Sequence, residues 1–146
     1  MLNKTIVGFT RNVIRVLLVD YDENYLTLYK TLLENKGYIV ETAQTGKQAI
    51  HKANNVRGNN AKFNVAIINI TLPDGMGDGV AKAIREKDDQ IRLLLKTEPS
   101  SFQRCINALD IGIEVILLEP ISPDELNRSV EAALQHTRQR ARHLMR

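Results

Sequence analysis

Five short aliphatic runs, each ending at polar or turn-forming residues and each followed by a helix-spaced segment, constrain this chain most strongly. The runs are Arg15 to Val19, Tyr38 to Thr42, Val65 to Ile70, Ile91 to Leu95 and Val115 to Leu118. Runs of this length suit strands buried on both faces, as in a parallel sheet covered by helices on either side. Between them, Asn24 to Asn35 spaces Leu28, Leu32 and Leu33 helically and stops at Gly37, a C-cap residue. Further helices are expected at Lys47 to Asn54, Val80 to Glu86 and Ser101 to Asp110. A last one opens at Ser122, with Pro123 in its first turn. Val56 to Asn64 reads as a polar loop, and Leu72 to Gly79 as a loop whose glycines permit positive φ.

Strand and helix alternating five times predict an α/β fold: a doubly wound (βα)5 three-layer sandwich with parallel strand order 2-1-3-4-5. Right-handed crossovers then bring all strand C-termini to one sheet edge, where sites in such folds form. The residues delivered there are Asp20, Tyr21 and Asp22 from the first strand, Asn69 from the third, Thr97 from the fourth, and Glu119 with Pro120 from the fifth.

With 146 residues, the chain is long enough for one domain with a buried core and short for two. Its 43% hydrophobic and 25% charged residues are globular proportions. No apolar run reaches the roughly 20 residues needed to cross a bilayer, so no membrane partner is expected. Met1 to Asn12 has no signal-peptide core. A single cysteine, Cys105, cannot form an internal disulfide and fits a reducing, cytoplasmic setting. The net charge of +3 does not by itself imply nucleic acid. The ending RQRARHLMR, rich in arginine and without an acid, leaves the last helix room to continue as a basic extension or linker.

The strand ends carry a resemblance. VLLVDYDEN, ETAQTGKQAI, VAIINITLPDG, LLLKTEPS and VILLEPISPDEL, in that order, resemble the motifs of the response-regulator receiver domains of two-component systems, CheY-like in fold. The resemblance spans about Arg15 to Ala133. It divides the chain into an N-terminal extension (1–14), a receiver domain (15–134) and a basic C-terminal helical extension or linker (135–146).

In that family, two acids and an acceptor aspartate hold Mg²⁺ while the aspartate attacks phosphorus. A lysine pairs with the phosphate and a threonine hydroxyl bonds to it. Carried over, the resemblance places Asp20 at the first acid and Tyr21 at the second, with Asp22 beside them. Asn69 stands at the acceptor, Thr97 at the switch threonine and Glu119 at the lysine. Ile116 takes the place of the switching aromatic, and a cis peptide is expected before Pro120.

A carboxamide offers no useful nucleophile toward phosphorus, and Glu119 would repel the phosphate a lysine binds. Three departures together describe a degenerate receiver, a pseudo-receiver and not an enzyme, acting by protein–protein interaction. No cofactor is expected. Magnesium would have only Asp20, Glu119 and the Asn69 carbonyl, a weak set; a Tyr21 to Glu119 hydrogen bond in its place is the preferred expectation. Counting Asp20 and Glu119, the pocket carries the same formal charge, minus two, as three aspartates and a lysine.

Plainer readings stand beside these. Asp22 and Glu23 suit the first turn of a helix. Thr97 serves equally well to cap the turn before Pro99. Asp74 and Asp78, the alternative acceptors if the chain is still a phosphorelay receiver, read better as turn residues. His51, His136 and His143 lack partners at ligand spacing. The expected partners are a histidine kinase, an effector domain or a second copy, met through the fourth helix, fifth strand and fifth helix. DNA binding by the arginine-rich tail ranks below these.

Overall fold

The computed structural model describes residues 13–58 and 61–144, with side chains described as far as Gln135. Most of the expected N-terminal extension, and the side chains of the basic tail with His136 and His143, therefore lie outside the described residues.

Strands β1 (Arg15–Val19), β2 (Ile39–Ala43), β3 (Val65–Asn69), β4 (Arg92–Thr97) and β5 (Ile113–Leu118) form one sheet. Its order is β2-β1-β3-β4-β5 and every pairing is parallel. Between them run α1 (Glu23–Glu34), α2 (Gly46–Asn54), α3 (Gly77–Lys87) and α4 (Phe102–Asn107), with α5 (Pro123–Leu144) closing the chain. The fold is the α/β three-layer sandwich that the alternation predicts. No described helix is long and apolar enough to cross a membrane.

Strand alternation divides the core into two. Leu17, Val19, Ile68 and Leu95 meet Ala49, Val80, Ile84 and Cys105 on the α2–α4 side. Val16, Leu18, Ile67 and Leu94 meet Leu26, Tyr29, Leu33, Leu126 and Val130 on the α1/α5 side. The central strands are buried on both faces, which is why they read as unbroken apolar runs.

Three expectations need correction. Leu28 is exposed; α1 buries Leu33 as expected, but with Leu26 and Tyr29 beside it, because the polar breaks in ENYLTLYKTLLE leave two candidate stripes. The glycine loop after β3 is a tight antiparallel hairpin, Thr71–Leu72 against Gly75–Met76, and α3 starts directly from it. The fourth helix is broken: Pro99–Ser101 and Leu109–Ile111 are 3₁₀ turns flanking α4, and Gly112 ends the segment at φ 97°. Ser122 and Glu125 open α5 as a reciprocal capping box, each side chain accepting the other's backbone N–H, at 3.1 and 3.3 Å.

Candidate functional site

At the C-terminal ends of β1, β3, β4 and β5, strand parity decides what meets. Asp20 follows Leu18 on the α1/α5 face of the sheet, Asn69 follows Ile67, and Glu119 follows Leu117. Lys96 follows Leu94 onto the same face. Asp20 (1% exposed) and Lys96 (5%) are both buried, as is Asn69.

The Lys96 ammonium is the centre of this cluster. Its Nζ lies 2.9 Å from Asp20 Oδ2, where the alignment gives an ion pair and not a hydrogen bond. It also donates a hydrogen bond to Glu119 Oε2. Below it, the Tyr25 ring lies with its centroid 3.9 Å from the nitrogen, a cation–π contact. Tyr25 rests in turn on Tyr29, ring centroids 4.1 Å apart, and the Tyr29 hydroxyl donates to the Ile121 carbonyl at 2.7 Å. Burial pulls the Lys96 pKa down, but pairing with Glu119 and Asp20 outweighs it and leaves the group above its ordinary 10.5. Burial first, and then the Asp20 carboxylate, push the Tyr25 phenol far above its usual range.

Lys96, absent from the site residues expected from sequence, changes two expectations. With one cation between two acids, the pocket's formal charge is minus one, not minus two. The expected Tyr21 to Glu119 hydrogen bond does not form: Tyr21 is 54% exposed, and Glu119 is engaged by Lys96. The signal was available. A lysine inside a strand buried on both faces must find anions, and Glu119 in place of a lysine leaves an anion seeking a cation.

The other site residues fall as follows. Asp20 Oδ1 accepts the Asp22 N–H at 3.0 Å. Asp22 is the N-cap of α1, accepting from Asn24 N–H at 2.9 Å and Tyr25 N–H at 3.3 Å. Asn69 donates its amide to the Thr71 carbonyl at 2.8 Å. Gly77 supports this turn; a Cβ there would collide with the Asn69 carbonyl oxygen. Thr97 is fully buried and its hydroxyl donates to the Glu98 carbonyl at 2.7 Å. Strand parity puts it on the α2–α4 face, opposite Lys96. The Glu119–Pro120 peptide is cis. Both alternative acceptors are engaged: Asp74 accepts the Gly46 and Lys47 N–H groups at 2.8 and 3.0 Å, and Asp78 pairs with Arg104 at 2.9 Å.

Mg²⁺ is the family's implied cofactor, and these residues do not fit it. The ion needs near-octahedral oxygen ligands. Here Tyr21 offers no carboxylate and points to solvent, Asn69 is neutral, and an ammonium already engages both acids. Among the described residues no cluster of three metal-ligating side chains forms.

Comparison with known proteins identifies the fold that carries this site. Residues 16–131 match the response regulator receiver domain. The chain belongs to that family. Over 128 residues it is 29% identical to the transcriptional regulatory protein ZraR of Escherichia coli, covering 88% of this chain and 28% of that protein. Over 123 residues it is 29% identical to the alkaline phosphatase synthesis transcriptional regulatory protein PhoP of Bacillus subtilis, covering 84% and 49%. The chain thus spans half or less of the length of these relatives. Among solved structures, a CheY-like receiver domain protein from Methanospirillum hungatei superposes with a TM-score of 0.79 at 26% identity, over 88% of this chain and 98% of that one. The receiver is the signalling module of two-component systems, and receivers interact with histidine kinases and effector domains.

Proposed function

We propose that this receiver works without phosphorylation at the usual position, as a pseudo-receiver that signals by binding other proteins. The observation that carries the reading is Asn69. At the place of the acceptor, it offers a neutral carboxamide whose nitrogen is committed to the Thr71 carbonyl. No nucleophile is left there to attack phosphorus. Glu119 and the outward-facing Tyr21 remove the flanking lysine and second acid, and Thr97 donates its hydroxyl to a backbone carbonyl.

The proposed interaction surface is the α4–β5–α5 face. Phe102 on α4, Leu109 in the turn after it and Leu118 at the end of β5 are exposed apolar residues there. A second copy, an effector domain or a kinase would meet the protein on this face. The site residues, the division at 15–134, the cytoplasmic setting and the absence of enzymatic activity belong to the same proposal.

Intact-mass measurement after incubation with acetyl phosphate and Mg²⁺, or with a partner kinase, tests the reading. The expected result is an unchanged mass. A stoichiometric gain of one phosphoryl group would overturn it.

A further inference from the structure

We infer that the Lys96 ammonium is a tethered cation that takes the place of a metal ion in this pocket, closing it to divalent cations and pinning the ends of β1, β4 and β5 together. The inference deepens the proposed function by stating what holds the pocket in place of a metal, yet the two can fail separately. A chain that takes no phosphate could still bind a metal, and a chain that binds none could still be modified elsewhere.

Three groups would attract a dication to this pocket: the Asp20 carboxylate, the Glu119 carboxylate and the Asn69 carbonyl. Lys96 Nζ is 2.9 Å from the first and hydrogen-bonded to the second. On the sheet, Lys96 is the register partner of Asn69 across the β3–β4 pair, which carries its stem alongside the third. The underside of the ammonium is covered by the Tyr25 ring at 3.9 Å. A dication would have to displace an ammonium whose contacts are already made and whose side chain is 6% exposed. It would also leave that ammonium desolvated beside a second positive charge, an arrangement that like-charge repulsion and lost hydration both oppose.

The cation also comes from a different strand. Where receivers carry a lysine at the end of β5, this chain carries Glu119, and β4 supplies the lysine instead. The pocket keeps one lysine, but it now stands on β4, pairs with a carboxylate on β5 and reaches Asp20 on β1. This places three strand ends under one ionic clasp without any ligand.

The test is a titration of MnCl₂ into the protein, followed by the loss of the free-ion paramagnetic resonance signal, for the natural chain, Lys96→Arg and Lys96→Met. The natural chain and Lys96→Arg should show no site up to about 10 mM. Lys96→Met, which keeps the stem and removes the charge, should open one with a dissociation constant on the order of 0.1–1 mM, the range of weak carboxylate sites. The same ion should raise the unfolding midpoint of Lys96→Met and not that of the natural chain. Binding to the natural chain as tight as to Lys96→Met would overturn the inference, as would no binding by a folded Lys96→Met. Should Lys96→Met fail to fold, the double variant Lys96→Glu with Glu119→Lys decides the clasp. It should recover most of the stability that each single change loses, and a double variant no more stable than the singles rejects the pairing.

Discussion

Lys96 shows how one charge sets the character of a site. A buried carboxylate such as Asp20 is costly unless it is paired, and the ammonium meets that requirement from β4, two strands away on the same face. Removing it by Lys96→Met should cost about 3–5 kcal/mol in urea unfolding, because Asp20 is left buried without a counter-charge. The pH dependence has a definite sign. The Lys96 pKa is raised in the folded protein, so its contribution is complete below the ordinary lysine value of 10.5 and is lost as pH rises through the higher folded value. The stability gap between the natural chain and Lys96→Met should accordingly hold constant at neutral and mildly alkaline pH and close only above that range. A gap that closed near neutrality would show that Lys96 is not held as the geometry describes.

At the scale of elements, the turn after β3 acts as a coupling between helices. Asp74 reaches back across the hairpin to cap α2, accepting from Gly46 and Lys47, while Gly77 starts α3 against the Asn69 carbonyl. The backbone hydrogen bonds from Gly46 and then Lys47 hold the Asp74 pKa below its ordinary 3.8. A depressed acid contributes stability above its unfolded pKa and loses it as pH falls through the folded one. Asp74→Ala should therefore unfold more readily than the natural chain at neutral pH and equally readily in strong acid. Amide exchange at Gly46 and Lys47 should quicken in the variant, and unchanged protection there would remove the capping role. The sequence reading placed Asp74 among turn residues. Its partner lies 28 positions away, and nothing local announces so distant a cap.

For the whole molecule, the two core halves fix the scaffold and leave Phe102, Leu109 and Leu118 exposed on the α4–β5–α5 face, the proposed interaction surface. Replacing Phe102 and Leu118 together by lysine should weaken self-association or effector binding at least tenfold. Stability should shift by no more than about 0.5 kcal/mol per site, since both side chains are already exposed. Sedimentation across a concentration series reads the first quantity and urea unfolding the second. Association that survives the double substitution would place the interface elsewhere.

The alternation of buried strand and helix was written in the residues. Uninterrupted apolar runs suit strands buried on both faces, as β3 and β4 are, and right-handed crossovers then order the sheet and gather the strand ends. Asp20, Asn69, Thr97 and Glu119 therefore fall at one edge from the strand order alone. Which of them touch could not be read, because contact at that edge depends on side-chain parity, on reach and on the charges of neighbouring strands. Tyr21, adjacent to Asp20 in the chain, turns to solvent, whereas Lys96 crosses from another strand to bind Asp20 and Glu119. The sequence by itself determined the scaffold, because periodicity is local, and it showed a carboxamide, Asn69, at the end of the central strand where the family resemblance puts the acceptor. Only the tertiary structure decided that the pocket carries its own cation, because pairing buried charges is a matter of distance in space.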